Sequence, residues 1–328
     1  MSKSIDLNRL NFGLSLELVE MDNQEPNRNQ RESKYYWDEM FQLVSAAGFT
    51  GIELPYQPKW DFGGRSGVPF SNYAITTKYG TVKSFLEMLN ANGIEKIVGI
   101  HFDPSLFISD NFAAYFGAFN HFASEAIRFA AESGAGNLTL TPTPCQGLLQ
   151  YYTDKQTDWS VWSADFIKKT SDLVARLADE AAASGVTLNL KNEYWSLLRG
   201  NAIDDFIQQT SGALFYDIDT AHLQISGLNP VEQIHRHAGK IGSVHLSDTA
   251  FVDDGDYFKS TTPEYPAGRA TQVFRDIGQG TVDLAAACSA LLESDYQGWV
   301  VCNNSQTRDT MRAMLRTRFQ INNSFSKH

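Results

Sequence analysis

The sequence predicts a (β/α)8 barrel that forms one domain over residues 1–328. Short runs rich in Val, Ile, Leu, Phe or Thr alternate with longer amphipathic segments, and this pattern repeats eight times. Most of the amphipathic segments end at a glycine just before the next apolar run, where a helix C-cap is expected. The predicted cap residues are Gly48, Gly93, Gly134, Gly185 and Gly239.

The predicted elements follow one another in a regular order. The strands cover residues 10–18, 51–56, 96–102, 136–141, 186–192, 214–220, 241–246 and 299–303. The clearest helices cover residues 33–47, 81–92, 113–133 and 159–184. An open doubly wound sheet is the alternative, but no glycine-rich phosphate-binding sequence follows the first strand. The repeat therefore favours the closed barrel.

The composition is that of a globular protein, which we expect to be cytoplasmic. Hydrophobic residues make up 42% and charged residues 20% of the chain, and the net charge is −11. Because a negative surface repels phosphate backbones, nucleic acid is not an expected partner. No apolar segment has the length of a signal peptide or a membrane span, so we expect no membrane association. Three scattered cysteines indicate neither a disulfide framework nor a metal site.

Three long loops follow predicted strands, at residues 19–32, 57–71 and 249–280. In a barrel all three lie on the catalytic face. Their glycines and aromatic residues are typical of a substrate lid, although exposed aromatic residues would also suit a contact between subunits.

Acidic and imidazole side chains end two consecutive predicted strands. Asp219-Thr-Ala-His222 closes the sixth strand, and His245 and Asp248 stand at the end of the seventh. Because the ends of neighbouring barrel strands converge, we expect Asp219 and His245 to meet at the mouth. A divalent metal or a polar substrate is the expected occupant. The alternative is a buried Asp–His hydrogen bond that only holds the top of the barrel together.

Further polar residues at the predicted mouth suit a polyol pocket. Glu53 and His101 end the second and third strands, and Trp195 and Arg199 follow the fifth. Their side chains can all hydrogen-bond to hydroxyl groups. We therefore expect Glu53, His101, Trp195, Arg199 and Asp248 to contact substrate, with a structural role as the alternative for each.

Several motifs from Gly185 onward match those of a known family. They are Gly-Val-x-Leu-x-Leu at residues 185–190, Asp219-x-x-His222-Leu223, Val244-His245-Leu246-x-Asp248, Gly278-x-Gly280-x-Val282-Asp283 and Tyr296-x-Gly298-Trp299. With these motifs the chain resembles the xylose isomerase-like barrels, a superfamily that includes tagatose 3-epimerase, hydroxypyruvate isomerase, inosose dehydratase and endonuclease IV. The resemblance extends over most of the chain. It implies a (β/α)8 barrel that acts on a sugar or polyol and forms a homo-oligomer.

The resemblance also implies a metal site. The sugar enzymes of this superfamily hold Mn²⁺, Co²⁺ or Mg²⁺ with a Glu, an Asp, a His and a Glu on strands five to eight. The Asp corresponds to Asp219 and the His to His245, but the two glutamate positions fall on Lys191 and Asn303. In the epimerases these glutamates also move the proton on carbon, so their replacement affects the mechanism as well as the metal.

Two arrangements of this site remain open. In the first, Glu193 lies two residues beyond Lys191 on the same face and joins Asp219, His245 and Asn303 as a ligand of Mn²⁺ or Mg²⁺. In the second, no metal binds, and the Lys191 ammonium beside Asp219 polarises a carbonyl group or acts as a base. A Lys191–Asp219 salt bridge that fills an inactive site is the structural alternative.

These residues predict a sugar isomerase or epimerase that acts on a keto sugar or keto polyol. Proton transfer at the carbon next to a carbonyl needs a base, for which the candidates are Glu193, His222 and Lys191. It also needs an electrophile, either Lys191 itself or a cation on Asp219 and His245. A lyase or dehydratase shares the same enolisation step.

Two functions of other classes are the alternatives. A non-catalytic sugar-binding barrel is suggested by the loss of both family glutamates. An endonuclease IV-like activity is not expected, because that family needs a fuller set of zinc ligands and because the chain is acidic.

Overall fold

The computed structural model describes residues 7–19, 21, 28–61, 67–266, 272–323 and 325. The strands, in chain order, are β1 (Asn11–Ser15), β2 (Gly51–Pro55), β3 (Lys96–Phe102), β4 (Asn137–Leu140), β5 (Thr187–Lys191), β6 (Leu214–Asp219), β7 (Ile241–Leu246), β8 (Asp248–Thr249), β9 (Phe274–Arg275) and β10 (Trp299–Cys302). The two-residue strands β8 and β9 pair antiparallel outside the barrel. The other eight form a closed parallel barrel and confirm the predicted fold.

The barrel closes because β1 pairs with both β2 and β10. The order around the barrel is β1-β10-β7-β6-β5-β4-β3-β2, so each barrel strand has two neighbours and no edge stays unpaired. In this circle of eight, β1 stands opposite β5, β2 opposite β6 and β3 opposite β7. This opposition decides which side chains face each other across the mouth.

Helices surround the barrel, and the four clearest predicted helices agree with α2, α4, α5 and α7 to within one residue at each end. The helices are α1 (Arg28–Arg31), α2 (Lys34–Ala46), α3 (Asn72–Tyr79), α4 (Val82–Ala91), α5 (Phe112–Glu132), α6 (Gln146–Tyr152), α7 (Trp159–Ala183), α8 (Ala202–Gln209), α9 (Thr220–Ile225), α10 (Pro230–Arg236), α11 (Leu284–Glu293) and α12 (Thr310–Asn323). All five predicted cap glycines have φ angles between 69° and 88°, a region in which a Cβ atom is strained. Among the described residues, no helix combines the length and the apolar character needed to cross a membrane.

The first strand is shorter than predicted. The prediction placed it at residues 10–18, but β1 ends at Ser15, and Leu16–Leu18 form a 3-10 turn. The Glu17 backbone N–H donates a hydrogen bond to the Ser15 hydroxyl at 3.3 Å, a local bond that competes with strand pairing. The turn places the Glu17 side chain in the wall of the barrel mouth.

Parts of the three predicted mouth loops lie outside the described residues, namely residues 20, 22–27, 62–66 and 267–271. The described part of the third loop is tied to the barrel at its base, where β8 pairs with β9 and the Thr249 hydroxyl donates to the Val273 carbonyl. Further out, the Tyr194 hydroxyl donates to the Pro263 carbonyl at 2.8 Å. The role of these loops as a lid stays a prediction.

Gly51, at the start of β2, leaves no room for a side chain. A Cβ atom there would lie 2.5 Å from Trp299 Cζ3 and 2.7 Å from Val98 Cγ1. We expect Gly51→Ala to lower the free energy of unfolding by about 1–3 kcal/mol, because overpacking strains the closed barrel. Urea denaturation followed by circular dichroism measures this change.

Gly117→Ala, on the exposed side of α5, is the matched control. A Cβ atom at Gly117 would meet nothing within 4 Å, so the better helix propensity of alanine is expected to raise stability by about 0.5–1 kcal/mol. Equal stabilities of the two variants would contradict the packing argument.

Candidate active site

A cavity of about 400 Å³ opens at the carboxyl ends of the barrel strands. This volume suits a small-molecule ligand. Seven of the residues selected from the sequence line it: His101, Lys191, Glu193, Trp195, Asp219, His222 and Asn303.

A buried ion pair lies at the centre of this group. Lys191 Nζ, at the end of β5, is 3.7 Å from Asp219 Oδ2 at the end of β6, and both side chains are buried. Burial would lower the pKa of Lys191, but the carboxylates of Glu17 and Asp219 outweigh it and raise that pKa. Burial would likewise raise the pKa of Asp219, but His222 and Lys191 hold it below its usual value. Both groups are therefore charged at neutral pH.

The other oxygen of Asp219 is held by two donors. The Ser247 hydroxyl and, at 3.3 Å, the His222 backbone N–H both donate to Asp219 Oδ1. The second bond makes Asp219 the N-cap of α9, a favourable position for a negative charge. Asp219 thus points one oxygen at Lys191 and uses the other to fix the chain that follows β6.

His245 lies between two carboxylates inside the barrel. Its Nδ1 is 2.8 Å and 2.9 Å from the two oxygens of Asp217, and its Nε2 is 3.0 Å and 2.9 Å from those of Glu53. Burial opposes a charge on the ring, but Asp217 and Glu53 raise the pKa of His245 well above its usual value. The ring is therefore an imidazolium with both nitrogens donating.

The carboxyl group of Glu193 has a raised pKa. Burial raises its pKa to about 7, partly offset by the attraction of Lys191. Trp195 Nε1 donates to Glu193 Oε2 at 2.7 Å, and the Thr141 hydroxyl donates to Oε1 at 3.2 Å. Because both oxygens have a donor, the orientation of the carboxyl group is fixed.

A second carboxyl group, Glu17, was not selected from the sequence. It contacts His101 Nδ1 and accepts a hydrogen bond from Asn303 Nδ2 at 2.9 Å. Burial opposes its ionisation, but His101 and Lys191 hold the pKa of Glu17 well below its usual value. Burial opposes the charge on His101 in turn, and Glu17 outweighs it and raises the pKa of His101. The alternation Gly13, Ser15, Glu17 at the end of the first strand was the available clue to this residue.

The His222 ring is held in one tautomer. The Tyr194 backbone N–H donates to His222 Nδ1 at 3.1 Å, and burial lowers the pKa of His222 to about 4. Nδ1 is therefore an acceptor, and the proton of the neutral ring is on Nε2. The ring packs edge-on against Trp195, with 4.7 Å between the ring centroids.

Three of the predicted substrate contacts have other partners. The Asp248 carboxylate accepts the backbone N–H groups of Gly278 and Gly280, and the Arg199 guanidinium stacks 3.6 Å from the centre of the Phe258 ring. Glu53 is the partner of His245. None of these three lines the cavity, so their geometry favours the structural alternative.

The residues proposed as metal ligands do not fit a divalent cation as they are arranged. Asp219 already faces the Lys191 ammonium, and both His245 nitrogens contact carboxylates. Asn303 Oδ1 is buried without a hydrogen-bond partner, but a single amide oxygen does not make a site. In the described part of the chain, no group of three or more His, Cys, Asp or Glu side chains is placed to hold a metal ion.

Asp217→Asn tests the arrangement around His245. The change removes one of two carboxylates from a buried imidazolium, so we expect the free energy of unfolding to fall by about 3 kcal/mol and the pKa of His245 to fall with it. Chemical denaturation measures the first effect and NMR titration of the imidazole the second.

The control is Glu87→Gln, which breaks the exposed Lys83–Glu87 pair. We expect it to cost less than about 0.5 kcal/mol. A comparable loss of unfolding free energy in both variants would mean that the buried contact stabilises the protein no more than the exposed one.

Comparison with known proteins agrees with the resemblance found in the sequence. The model of the xylose isomerase-like TIM barrel family matches residues 41–317. The chain is 30% identical to an inosose dehydratase of Geobacillus kaustophilus over 105 residues, which are 32% of this chain and 34% of that protein. It is 36% identical to an L-ribulose 3-epimerase of Mesorhizobium japonicum over 86 residues, 25% of this chain and 29% of that protein. The matches thus span about a third of the length of each of these relatives.

Solved structures share the fold over nearly the whole chain. A structure of L-ribulose 3-epimerase has a TM-score of 0.64 at 17% identity, and the match covers 97% of this chain and 96% of that protein. A probable 3-DHS dehydratase from Bacillus anthracis has a TM-score of 0.65 at 12% identity, and the match covers 96% of this chain and 100% of that protein. Because the family model matches most of its length, this chain belongs to the xylose isomerase-like TIM barrel family.

Proposed function

We propose that this chain is an enzyme that transfers a proton at the carbon next to the carbonyl of a small keto sugar or keto polyol, as an isomerase or epimerase. The observation that carries the proposal is the presence of a buried ammonium, Lys191, and a buried carboxyl group, Glu193, in the wall of one cavity. Enolisation needs a positive group near the oxygen and a base near the carbon-bound proton. The epimerases and dehydratases among the relatives support this substrate class.

Glu193 is the proposed base. With a pKa of about 7 it is substantially ionised at neutral pH and is more basic than an ordinary carboxylate. The bonds from Trp195 and Thr141 hold it in one orientation, which supports a positioned proton transfer.

Lys191 and His222 are proposed to bind the substrate oxygen. A fixed ammonium in a site shielded from water stabilises the negative charge that develops on an enolate oxygen. The raised pKa of Lys191 argues against its alternative role as a base. His222 adds a second donor through its Nε2–H, and its low pKa and occupied Nδ1 argue against a role as base.

In this proposal Lys191 takes the electrostatic role that Mn²⁺ or Mg²⁺ would have in the metal-dependent arrangement. The support is the position of the ammonium beside Asp219, together with the carboxylate contacts on both nitrogens of His245. Asp219 then acts as the counter-charge of Lys191 and keeps it protonated.

Dehydration is the second candidate reaction, favoured by the similarity to inosose dehydratase. It would begin with the same proton transfer to Glu193. The enolate would then expel a hydroxyl group β to the carbonyl, and the Glu193 proton would leave with it as water. Both reactions therefore use the same residues.

Deuterium exchange from solvent into a panel of keto sugars tests the proposal. We expect Glu193→Gln and Lys191→Met each to lower the exchange rate by about 10²–10³-fold, because one removes the base and the other the charge on oxygen. NMR of the products separates epimerisation from loss of water.

Lys169→Met is the control for the charge change, because Lys169 is 60% exposed on α7 and pairs only with Asp165 in the described structure. Its rate, and that of wild-type protein dialysed against EDTA, should stay unchanged. If no bound ligand exchanges, the enzyme proposal falls in favour of a non-catalytic sugar-binding barrel.

The pH dependence follows from the Glu193 pKa. The ionised form is the base, so we expect the exchange rate to rise with pH and to level off above about 7. Trp195→Phe removes the donor that stabilises the ionised carboxylate. We therefore expect the rise of the exchange rate with pH to occur at a higher pH in this variant. A shift to lower pH, or a rate that does not depend on pH, would rule out Glu193 as the base.

A further inference from the structure

A relay of hydrogen bonds connects Glu193 with His101 and Glu17 through the Thr141 hydroxyl. This hydroxyl, just beyond the end of β4, donates to Glu193 Oε1 at 3.2 Å, and His101 Nε2 lies 3.2 Å from the same hydroxyl oxygen. At the far end His101 Nδ1 contacts Glu17. Thr141 is fully buried, whereas the other three residues line the cavity. The relay therefore joins three residues of the cavity wall from behind.

The strand order brings the members of the relay together. The strands β3, β4 and β5, whose ends position His101, Thr141 and Glu193, are consecutive neighbours in the barrel. The Thr141 backbone N–H donates to the Phe102 carbonyl at 3.1 Å, so the pairing of β4 with β3 continues up to the relay. Glu17 reaches His101 from the 3-10 turn that follows β1. The relay is thus held mainly by barrel strands, which fix side chains more precisely than loops do.

The donors of the relay have one consistent direction. Glu17 is ionised and can only accept, so His101 Nδ1 carries a proton. Because Thr141 donates its hydrogen to Glu193, its oxygen is left to accept from His101 Nε2, which then carries a proton as well. The His101 ring is therefore an imidazolium, with one proton directed at Glu17 and the other at Thr141.

The charges that face His101 agree with this assignment. Burial would lower the pKa of the ring, but Glu17 outweighs it and raises that pKa above its usual value. Of the other charged groups, Lys191 opposes the charge on the ring and Glu53 favours it. A proton is therefore available on His101 at neutral pH.

Glu193 needs a route by which it can lose a proton. Its side chain is only 5% exposed, and its two oxygens accept hydrogen bonds from Trp195 and Thr141. A base that has taken a proton from a substrate must release it before the next turnover. A hydroxyl can accept a proton on its oxygen while it gives up its own, so Thr141 provides such a route.

We propose that His101 is a second proton-transferring residue of this site and that the Thr141 hydroxyl connects it to Glu193. The proposal rests on the proposed function, in which Glu193 takes the proton from carbon. It adds the residue that returns a proton to the reacting molecule and the route by which the base is restored. Glu17 is a positioning residue, because it acts through the His101 ring.

The protons balance over one cycle of this scheme. Glu193 takes the proton from carbon, and the electron pair of the broken C–H bond stays in the enolate. His101 gives its Nε2 proton to the enolate or, in a dehydration, to the departing hydroxyl group, and the neutral ring keeps its Nδ1 proton. The Glu193 proton then passes to the Thr141 oxygen while the Thr141 proton passes to His101 Nε2, which restores both residues.

Thr141→Val breaks the relay and leaves both of the residues that it joins. Rapid-quench measurements compare the first turnover with later ones, at a pH above the Glu193 pKa of about 7, using whichever of D-fructose, D-tagatose and L-ribulose the wild type converts. We expect a first turnover close to the wild-type rate and later turnovers about 10–100-fold slower, because the relay no longer restores His101 and Glu193. Equal rates for first and later turnovers in this variant would overturn the proposal.

Three further variants test whether the hydroxyl itself is responsible. Thr141→Ala removes it with a smaller side chain and should also slow the later turnovers, so the result does not depend on how valine fits. Thr141→Ser retains the hydroxyl and should restore rapid later turnovers; a serine variant as slow as the valine variant would contradict the relay. Thr170→Val makes the same change at another fully buried threonine, which donates to the Phe166 carbonyl at 2.9 Å, and should leave the rates unchanged.

NMR of the free protein tests the relay without a substrate. At neutral pH, isotope-labelled His101 should carry a proton on both ring nitrogens. Thr141→Val should shift the ring signals of His101 and the carboxyl signal of Glu193 together, whereas Thr170→Val should shift neither. A His101 ring with one bare nitrogen, or a shift confined to one of the two residues, would overturn the proposal.

The two measurements separate this proposal from the proposed function. If the wild type converts none of the three sugars but the NMR signals show the relay, the proposed reaction falls and the connection between His101 and Glu193 stands. If a sugar is converted and Thr141→Val slows no later turnover, the reaction stands and the second proton-transferring residue falls.

Discussion

The barrel mouth depends on one buried positive charge, the Lys191 ammonium. Together with His101 it lowers the pKa of Glu17, and together with His222 that of Asp219. It also opposes the rise that burial causes in the pKa of Glu193, and all three carboxyl groups have little contact with water. Carboxylates in such a setting persist as anions only when cations compensate them. Lys191 thereby contributes to the protonation state of every carboxyl group around it.

A second layer of charges lies below the first and follows the same rule. There the cation is His245, and its partners Glu53 and Asp217 approach from β2 and β6. The contact with Asp217 joins two neighbouring strands, whereas the contact with Glu53 crosses the barrel between β7 and β2. The second contact therefore ties the interior together as well as balancing charge. In both layers the charges of one sign are held by fixed charges of the other, which limits the motion of the side chains above them.

Much of the fold was predictable because it depends on local patterns. Apolar alternation, amphipathic spacing and glycine caps are read from neighbouring residues, and all eight barrel strands were found in this way. The predicted end of β1 was wrong because the Ser15 hydroxyl accepts a hydrogen bond from the Glu17 backbone N–H. The apolar pattern of the sequence does not indicate this hydrogen bond. Glu17 was missed although the alternation Gly13, Ser15, Glu17 placed it at the mouth end of the predicted strand.

The site was predictable only as a set of residue types. Strand ends and family motifs selected Lys191, Glu193, Asp219 and His222, which line the cavity. The partners of these residues depend on contacts between distant parts of the chain. His245 and Glu53 are 192 positions apart, and no local pattern indicates that they meet.

Asp248 shows how a barrel of this kind separates a stable base from a changeable rim. Its carboxylate accepts the backbone N–H groups of Thr249, Gly278, Gly280 and Val282, at 2.8 to 3.2 Å. One side chain in β8, just after the end of β7, thus holds both ends of the long loop that returns to β10. A loop closed at its base in this way can change length and sequence at its tip while the strands beneath keep their positions. The rim is therefore the part of the molecule in which evolution or engineering can introduce new substrate preferences with the smallest loss of stability.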